Sequence, residues 1–242
     1  MEPAPVTCRR SKLDTRTALV AAAFDELSDQ SLDALSIRRL TAAVGITPAA
    51  FYRHFTDLDD IGLVLVEEAI HQLALAVREG LANLDQDNGP AVIATIGTSL
   101  AEVSKSHRPQ MTFVARERCS GRERIQLAIR DGIRRITLET AGELKAKTRM
   151  REWSWEDTLV MSDAMVHFGI HLIEQLVLSA PSTRRTDEAT SRFFQQLFLL
   201  AYGADAFYPF IQAGVALPVS EFELYATLPH TMMAQPEETP DP

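Results

Sequence analysis

The sequence predicts an all-α fold, and three observations carry that prediction. Apolar residues recur at the i, i+3, i+4 spacing of one helix face through most of the chain. Period-two alternation is scarce, and no Asn-Gly turn sits between β-branched runs. Gly, Pro and Ser clusters cut the rest into pieces of helix length. A chain of 242 residues can bury a sizeable core in one or two domains. With 46% apolar and 24% charged residues it has ordinary globular composition. No apolar run reaches the length of a membrane span, and Met1-Glu2-Pro3 does not open a secretory signal. Two cysteines, Cys8 and Cys119, make no disulfide framework, so a reducing, cytoplasmic setting is expected.

The elements follow in order. Residues 1–12 are polar, Pro-containing and basic, and read as a flexible arm. Leu19, Ala22, Ala23 and Leu27 mark one face of a first helix over Thr15 to Leu27. Ser36 suits the N-cap of a second helix striped by Ile37, Leu40 and Val44 and stopped by Gly45. Thr47-Pro48 is the pairing of N-cap and first helical residue that opens a third, over 47–55. Ile46 and Phe51 can staple across its start. A long fourth helix is expected from Asp57 to Leu84, ended by Asn88-Gly89-Pro90. Further helices are expected at 91–106, 110–119, 122–147, 156–179 and 187–213, separated by Pro109, Gly121, Trp153-Ser154 and Pro181-Ser182. Residues 229–242, rich in proline and acid, read as a disordered tail. The domains expected are the arm at 1–12, a small helical domain at 13–57, a larger helical domain at 58–228 and the tail at 229–242.

Ser36 to Phe55 (SIRRLTAAVGITPAAFYRHF) is a helix-turn-helix pattern, which seats its second helix in the DNA major groove. Pro48, Phe51 and Phe55 share the side of the wheel that should face the first two helices. Ala49 and Arg53 lie opposite, flanked by Ala50 and Tyr52. Small residues let the helix sit deep, an alanine methyl can touch a thymine methyl, and Arg53 can fork to guanine. The hydroxyls of Thr47 and Tyr52 can reach phosphate, with Ser36 and Arg38 at the groove wall and Arg9 and Arg10 reaching from the arm. An ordinary helical corner with a solvated Arg53 is the bland alternative. The net charge of −9 does not exclude DNA: residues 1–56 hold seven basic against six acidic groups, so the negative charge lies further on.

These residues resemble the TetR family of transcriptional regulators from Thr15 to about Val66. The likeness rests on Ala22-Ala23-Phe24, Ser36-Ile37, Val44-Gly45-Ile46-Thr47 and Phe51-Tyr52-Arg53-His54-Phe55. It implies an all-α regulator, a homodimer formed by C-terminal helices, and a ligand cavity in each subunit. Ligand would change the separation of the two reading helices, which recognise a pseudo-palindromic operator. By the same likeness Thr47, Ala49, Tyr52 and His54 meet DNA. Family members often carry a lysine four residues after the signature histidine; here Leu58 stands there, beside Asp57, Asp59 and Asp60. Carboxylates repel phosphate, which puts that contact in doubt. A narrower likeness, FYRHFTDLDDIGLVLVEE with RERCSG at Arg116 to Gly121, is similar to the branch repressing unsaturated fatty-acid synthesis. It implies fatty acyl-CoA or acyl carrier protein as effector and desaturase or fatty-acid synthesis genes as target.

An acyl effector needs an apolar tunnel with a polar mouth. Met111, Phe113, Trp153, Trp155, Met161, Met165 and Phe168 can line one, or can be plain core. Arg116 and Arg118 can meet phosphates, or can pair with Glu117 or Glu123. His167 and His171 share a helix face with Asp163 and Glu174 nearby; the spacing can hold zinc, but no complementary ligand set is announced, and a pocket or interface role is expected instead. Phe193, Phe194, Leu197, Phe198, Leu200 and Ala201, with the 156–179 helix, are candidates for a four-helix dimer seam. No glycine loop cradles phosphate and no Gly-x-Ser-x-Gly is present, so no catalytic residue, metal or cofactor is expected. The function expected is a repressor governed by a small hydrophobic effector. The alternatives are a regulator of an efflux or catabolic operon sensing an aromatic or drug-like ligand and, more remotely, a lipid- or acyl-binding helical protein without DNA binding.

Overall fold

A computed structural model describes residues 12–82, 84, 89–180 and 182–212. Among the described residues there are helices and turns but no strand, as the all-α expectation requires. The helices are α1 (Lys12–Glu26), α2 (Ile37–Val44), α3 (Pro48–Phe51), α4 (Leu58–Gly80), α5 (Gly89–Ser106), α6 (Arg108–Glu117), α7 (Glu123–Lys147), α8 (Trp155–Val177) and α9 (Thr183–Gln212). Short 3-10 turns at Leu32–Ala34 and Arg149–Glu152 complete them. None of these helices is long and apolar enough to cross a membrane. The arm, with Cys8, Arg9 and Arg10, and residues 213–242 lie outside the described residues.

The chain forms two compact units, residues 1–198 and 199–242. In the second, the described part is the last stretch of α9, where Leu199 and Tyr202 are exposed. In the first, α4 is the central pillar: α5, α6 and α7 pack on it, and α8 packs on α5, α6 and α7. Its inner face is Ile61, Leu65, Val66, Ala69, Ile70 and Leu73, all buried. Helices of this length gain most of their stability from such a face rather than from propensity.

Close packing of α4 on α5 depends on Gly80. A methyl built there would lie 2.8 Å from the Cα of Ile96. Backbone cannot yield as a side-chain tip can, so Gly80→Ala should push the helices apart at a cost of about 1–2 kcal/mol, despite alanine's better helix propensity. A thermal melt would read this as a loss of several degrees. A higher melting temperature would show that the contact has slack.

Several boundaries differ from the sequence reading, each for a local reason. Pro109 does not break a helix; it stands in the first turn of α6, where no amide hydrogen is needed. Gly89 opens α5 instead of ending a linker. The fourth helix starts one residue late, at Leu58, because Asp57 caps it: Asp57 Oδ1 accepts the Asp60 amide at 2.8 Å. It closes at Gly80, short of Leu84.

Candidate nucleic-acid interface and effector cavity

The turn between α2 and α3 is built by Gly45. Its φ of 74° is the left-handed conformation, which glycine adopts without strain. The Ile46 amide donates to the Thr41 carbonyl (2.9 Å) and the Gly45 amide to that of Ala42 (3.1 Å). This pair of bonds satisfies the carbonyls left free at the helix end.

The third helix is shorter than its sequence suggests. Regular α-helix spans only Pro48–Phe51, and the chain continues to Phe55 in tightened turns. The Arg53 amide reaches Ala50 and the His54 amide reaches Phe51. Four residues cannot hold a helix by their own hydrogen bonds, so tertiary anchoring decides here. Phe51 is fully buried and Phe55 nearly so, with ring centroids 5.6 Å apart. Arg16 of α1 places its guanidinium 4.5 Å over the Phe55 ring. Pro48, expected on the inner side, is exposed: as the first residue of so short a turn it precedes the anchored face.

The outward surface gathers most of the DNA-facing candidates. Ser36, Arg38, Thr47, Ala49, Tyr52 and Arg53 are exposed, while Ala50 and His54 are half-buried. Tyr52 is 60% exposed and meets Phe51 edge-on. Ser36 and Thr47 occupy the N-cap positions of α2 and α3, but neither hydroxyl makes a capping bond. Among the described residues Arg38 and Arg53 make no ion pair, whereas neighbouring Arg39 is held by Glu26 of α1.

The three carboxylates at the start of α4 are engaged. Asp57 caps the helix, Asp60 accepts the Thr56 amide at 2.9 Å, and Asp59 pairs with Arg122. Arg122, at the N-cap of α7, also holds Asp33 at 2.6 Å. Burial opposes the Arg122 charge, but hydrogen bonds and attraction from Asp59 and Asp33 outweigh it and raise its pKa. This cation therefore ties the α1–α2 connection to the start of α4 and to α7.

A second tie was not legible in the sequence. Glu117, at the end of α6, is 1% exposed, and its Oε1 accepts the Leu32 amide at 2.8 Å. Adjacent Arg116 donates to the carbonyls of Leu27 and Gln30, both at 3.4 Å. In the run Arg-Glu-Arg the sequence offers Glu117 as an ion-pair partner for its arginines; only the docking of α6 on the α1–α2 connection buries it.

An apolar cavity of about 30 Å³ lies among α4, α5, α7, α8 and α9. Leu73, Val77, Ile96, Leu100, Ile136 and Met165 are among its walls. As it stands it has room for about two waters, far below the several hundred Å³ of a drug-sized site. An effector must therefore spread the helices. Val77, Leu81, Ile136 and Thr140 also border an outer groove of about 240 Å³ between α4 and α7.

Of the ligand-pocket candidates, Met165 reaches this cavity. Met111 and Phe113 are core: Phe113 packs edge-on against Phe24 of α1, which uses its bulk to join α6 to the N-terminal helices. Arg116 faces the α1–α2 connection and Arg118 pairs with Glu174 at 2.5 Å. Trp153 is half-buried in the link before α8, its carbonyl bonded by Lys145. His167 lies along an open groove of about 1060 Å³ between α7 and α8, with its Nδ1 2.8 Å from the Asp163 carbonyl. His171 is exposed and contacts Gln175, and Phe168 is half-buried. Among the described residues no His, Cys, Asp and Glu gather as a metal site. Of the dimer-seam candidates, Phe193 and Leu197 are buried within the unit, Phe193 against Gly97 of α5. Phe194 and Phe198 stay half-buried and stack at 6.0 Å.

Residues 19–61 match the family described as bacterial regulatory proteins, tetR family. The fold is similar to that of a TetR-family transcriptional regulator from Streptomyces coelicolor, at 15% identity and a TM-score of 0.64, covering 96% of this chain and 94% of that one. It is also similar to a TetR-family regulator from Mesorhizobium loti, at 12% identity and a TM-score of 0.63, over 80% and 98% of the chains. A third relative in fold is a fatty acid degradation regulator from Bacillus halodurans, at 11% identity and a TM-score of 0.61, over 79% and 96%. The N-terminal segment at residues 19–61 is thus similar to the family's DNA-binding region, and the all-helical frame around it is the fold of solved regulators of that family.

Proposed function

We propose that the protein is a dimeric, cytoplasmic repressor that reads a pseudo-palindromic operator and releases it on binding a small hydrophobic effector. The observation that supports DNA reading is one exposed surface on which Arg38 and Arg53 carry no ion pair and Ser36 and Thr47 carry no capping bond. Arg53 forks to guanine, while Ala49 and Ala50 allow close approach and meet thymine methyls. Ser36, Arg38, Thr47, Tyr52 and His54 contact backbone, joined by Arg9 and Arg10 of the arm. Functionally, residues 1–12 are the arm, 13–57 read DNA, 58–228 bind effector and dimerise, and 229–242 are a tail. Val160 on α8, at 72% exposure, and Leu178 just after it, at 49%, offer exposed apolar side chains to the dimer seam on a face that also carries Asp163, His167 and His171.

An aromatic or otherwise compact apolar effector, as in efflux or catabolic control, suits this chain better than a fatty acyl thioester. Arg116 and Arg118 are committed to backbone carbonyls and to Glu174, and neither borders the apolar cavity, so no cation there awaits phosphate. Fatty acyl-CoA stays the second reading, resting on the Arg116 to Gly121 likeness and on the fold shared with the fatty acid degradation regulator from Bacillus halodurans.

Gel shifts on DNA upstream of the neighbouring genes test the proposal. Arg53→Ala should cost about 1–3 kcal/mol and relax preference at one base pair per half-site. Tyr52→Phe should weaken all sequences alike. A strictly monomeric protein that ignores duplex DNA at low salt would overturn the reading.

A further inference from the structure

We infer that the apolar cavity selects a compact, uncharged, mainly hydrocarbon ligand bearing one hydrogen-bonding group, and that Thr140 Oγ1 is the anchor for that group. The inference rests on the reading of this cavity as the effector site.

Several buried hydroxyls in these helices fold back onto the carbonyl one turn earlier, although Thr190 Oγ1 on α9 does not. Thr41 donates to Ile37 at 2.8 Å, Ser104 to Leu100 at 2.7 Å and Ser162 to Thr158 at 2.8 Å. Such a bond satisfies the group inside its own helix. Thr140 is 3% exposed, yet its Oγ1 has no hydrogen-bond partner among the described residues. A buried polar atom left alone asks for an explanation. Its place on α7 sharpens the question, because Ile125, Ile129, Ile136 and Leu144 make the same stripe apolar. An aliphatic residue would fill that position at no cost in polarity.

Thr140 stands where the inner cavity meets the outer groove. A ligand passing between α4 and α7 would bring its polar group to this hydroxyl with its hydrocarbon part inside. The hydroxyl can donate to a carbonyl or accept from an alcohol. The groove offers an anion no free partner. Arg78 pairs with Glu139 across it at 3.3 Å, and Lys147 pairs with Glu143 at 2.9 Å. Both cations are engaged by carboxylates, so a ligand carboxylate would lose hydration without gaining an ion pair.

The test uses the full chain with methionine methyls labelled for NMR, following Met165 in the cavity wall and assigning it with Met165→Leu. The probes are benzyl alcohol, toluene and benzoate, which share a ring and differ in the polar group. Benzyl alcohol and toluene should shift the Met165 methyl, and benzoate should not at the same concentrations. Thr140→Val keeps the shape and removes the hydroxyl. It should weaken benzyl alcohol about tenfold while changing toluene less than about twofold. The free variant should melt about 2–4 °C higher, since a methyl replaces an orphaned hydroxyl. Equal losses for both neutral probes, benzoate binding as tight as the alcohol, or a lower melting temperature would overturn the anchor while leaving the effector cavity standing. If none of the three moves the Met165 methyl, the effector reading of this cavity falls as well.

Discussion

Phe51→Ala should destabilise the protein by about 3–5 kcal/mol and abolish operator binding. The ring is fully buried, lies 5.6 Å from Phe55, and supports Tyr52 edge-on at 5.5 Å. The element that carries it is only four residues long. Such an element has no stability of its own, so this ring is what holds Ala49, Tyr52 and Arg53 in one exposed array. The loss should therefore be largest in function: binding fails at temperatures where the long helices still give a full circular dichroism signal. Urea unfolding gives the first number and a gel shift the second. Phe51→Leu, which keeps most of the volume, should cost about 1–1.5 kcal/mol and retain binding. An alanine variant with wild-type affinity would show that the hydrogen-bonded turns at 47–55 suffice.

Glu117→Ala should cost about 2–4 kcal/mol, because it strands the Leu32 amide inside the protein and leaves a gap beneath it. Glu117→Gln keeps the acceptor that Leu32 uses and should cost much less. The Glu117 Oε2 atom has no partner, so the carboxylate's second oxygen contributes little to the contact. Hydrogen exchange separates this local role from general damage. The Leu32 amide should lose protection in the alanine variant and keep it in the glutamine one, while core amides of α4 slow or speed together with global stability. Equal protection at Leu32 in both variants would show that the amide is satisfied elsewhere. Arg116 and Glu117 together hold the α1–α2 connection at Leu27, Gln30 and Leu32.

Helix positions were legible because each depends on local chemistry. Gly45 stops α2 since its left-handed φ suits glycine, and the buried face of α1 follows the spacing of Leu19, Ala23 and Leu27. The exposed Ala49, Tyr52 and Arg53 were legible for the same reason, being opposite two phenylalanines on one wheel. The length of α3 was not, because tightened turns after Phe51 keep the same facing with different hydrogen bonds. The acidic start of α4 was legible as a poor place for phosphate, but its partners were not: one carboxylate caps the helix, one takes the Thr56 amide, and one meets Arg122 from 63 residues away. Thr140 did leave a trace in the sequence, a hydroxyl on an otherwise apolar stripe.

By itself the sequence determined the all-helical fold, the helix-turn-helix and the side chains it turns outward, because periodicity, caps and turn glycines act within a few residues. Tertiary structure alone decided which polar groups are spoken for. Arg116 and Arg118 turned out to be engaged, Glu117 buried and Thr140 orphaned, since burial and partnership depend on helices that meet only after folding. The apolar cavity belongs to the same category: its walls come from five helices, and no local pattern encodes the gap between them.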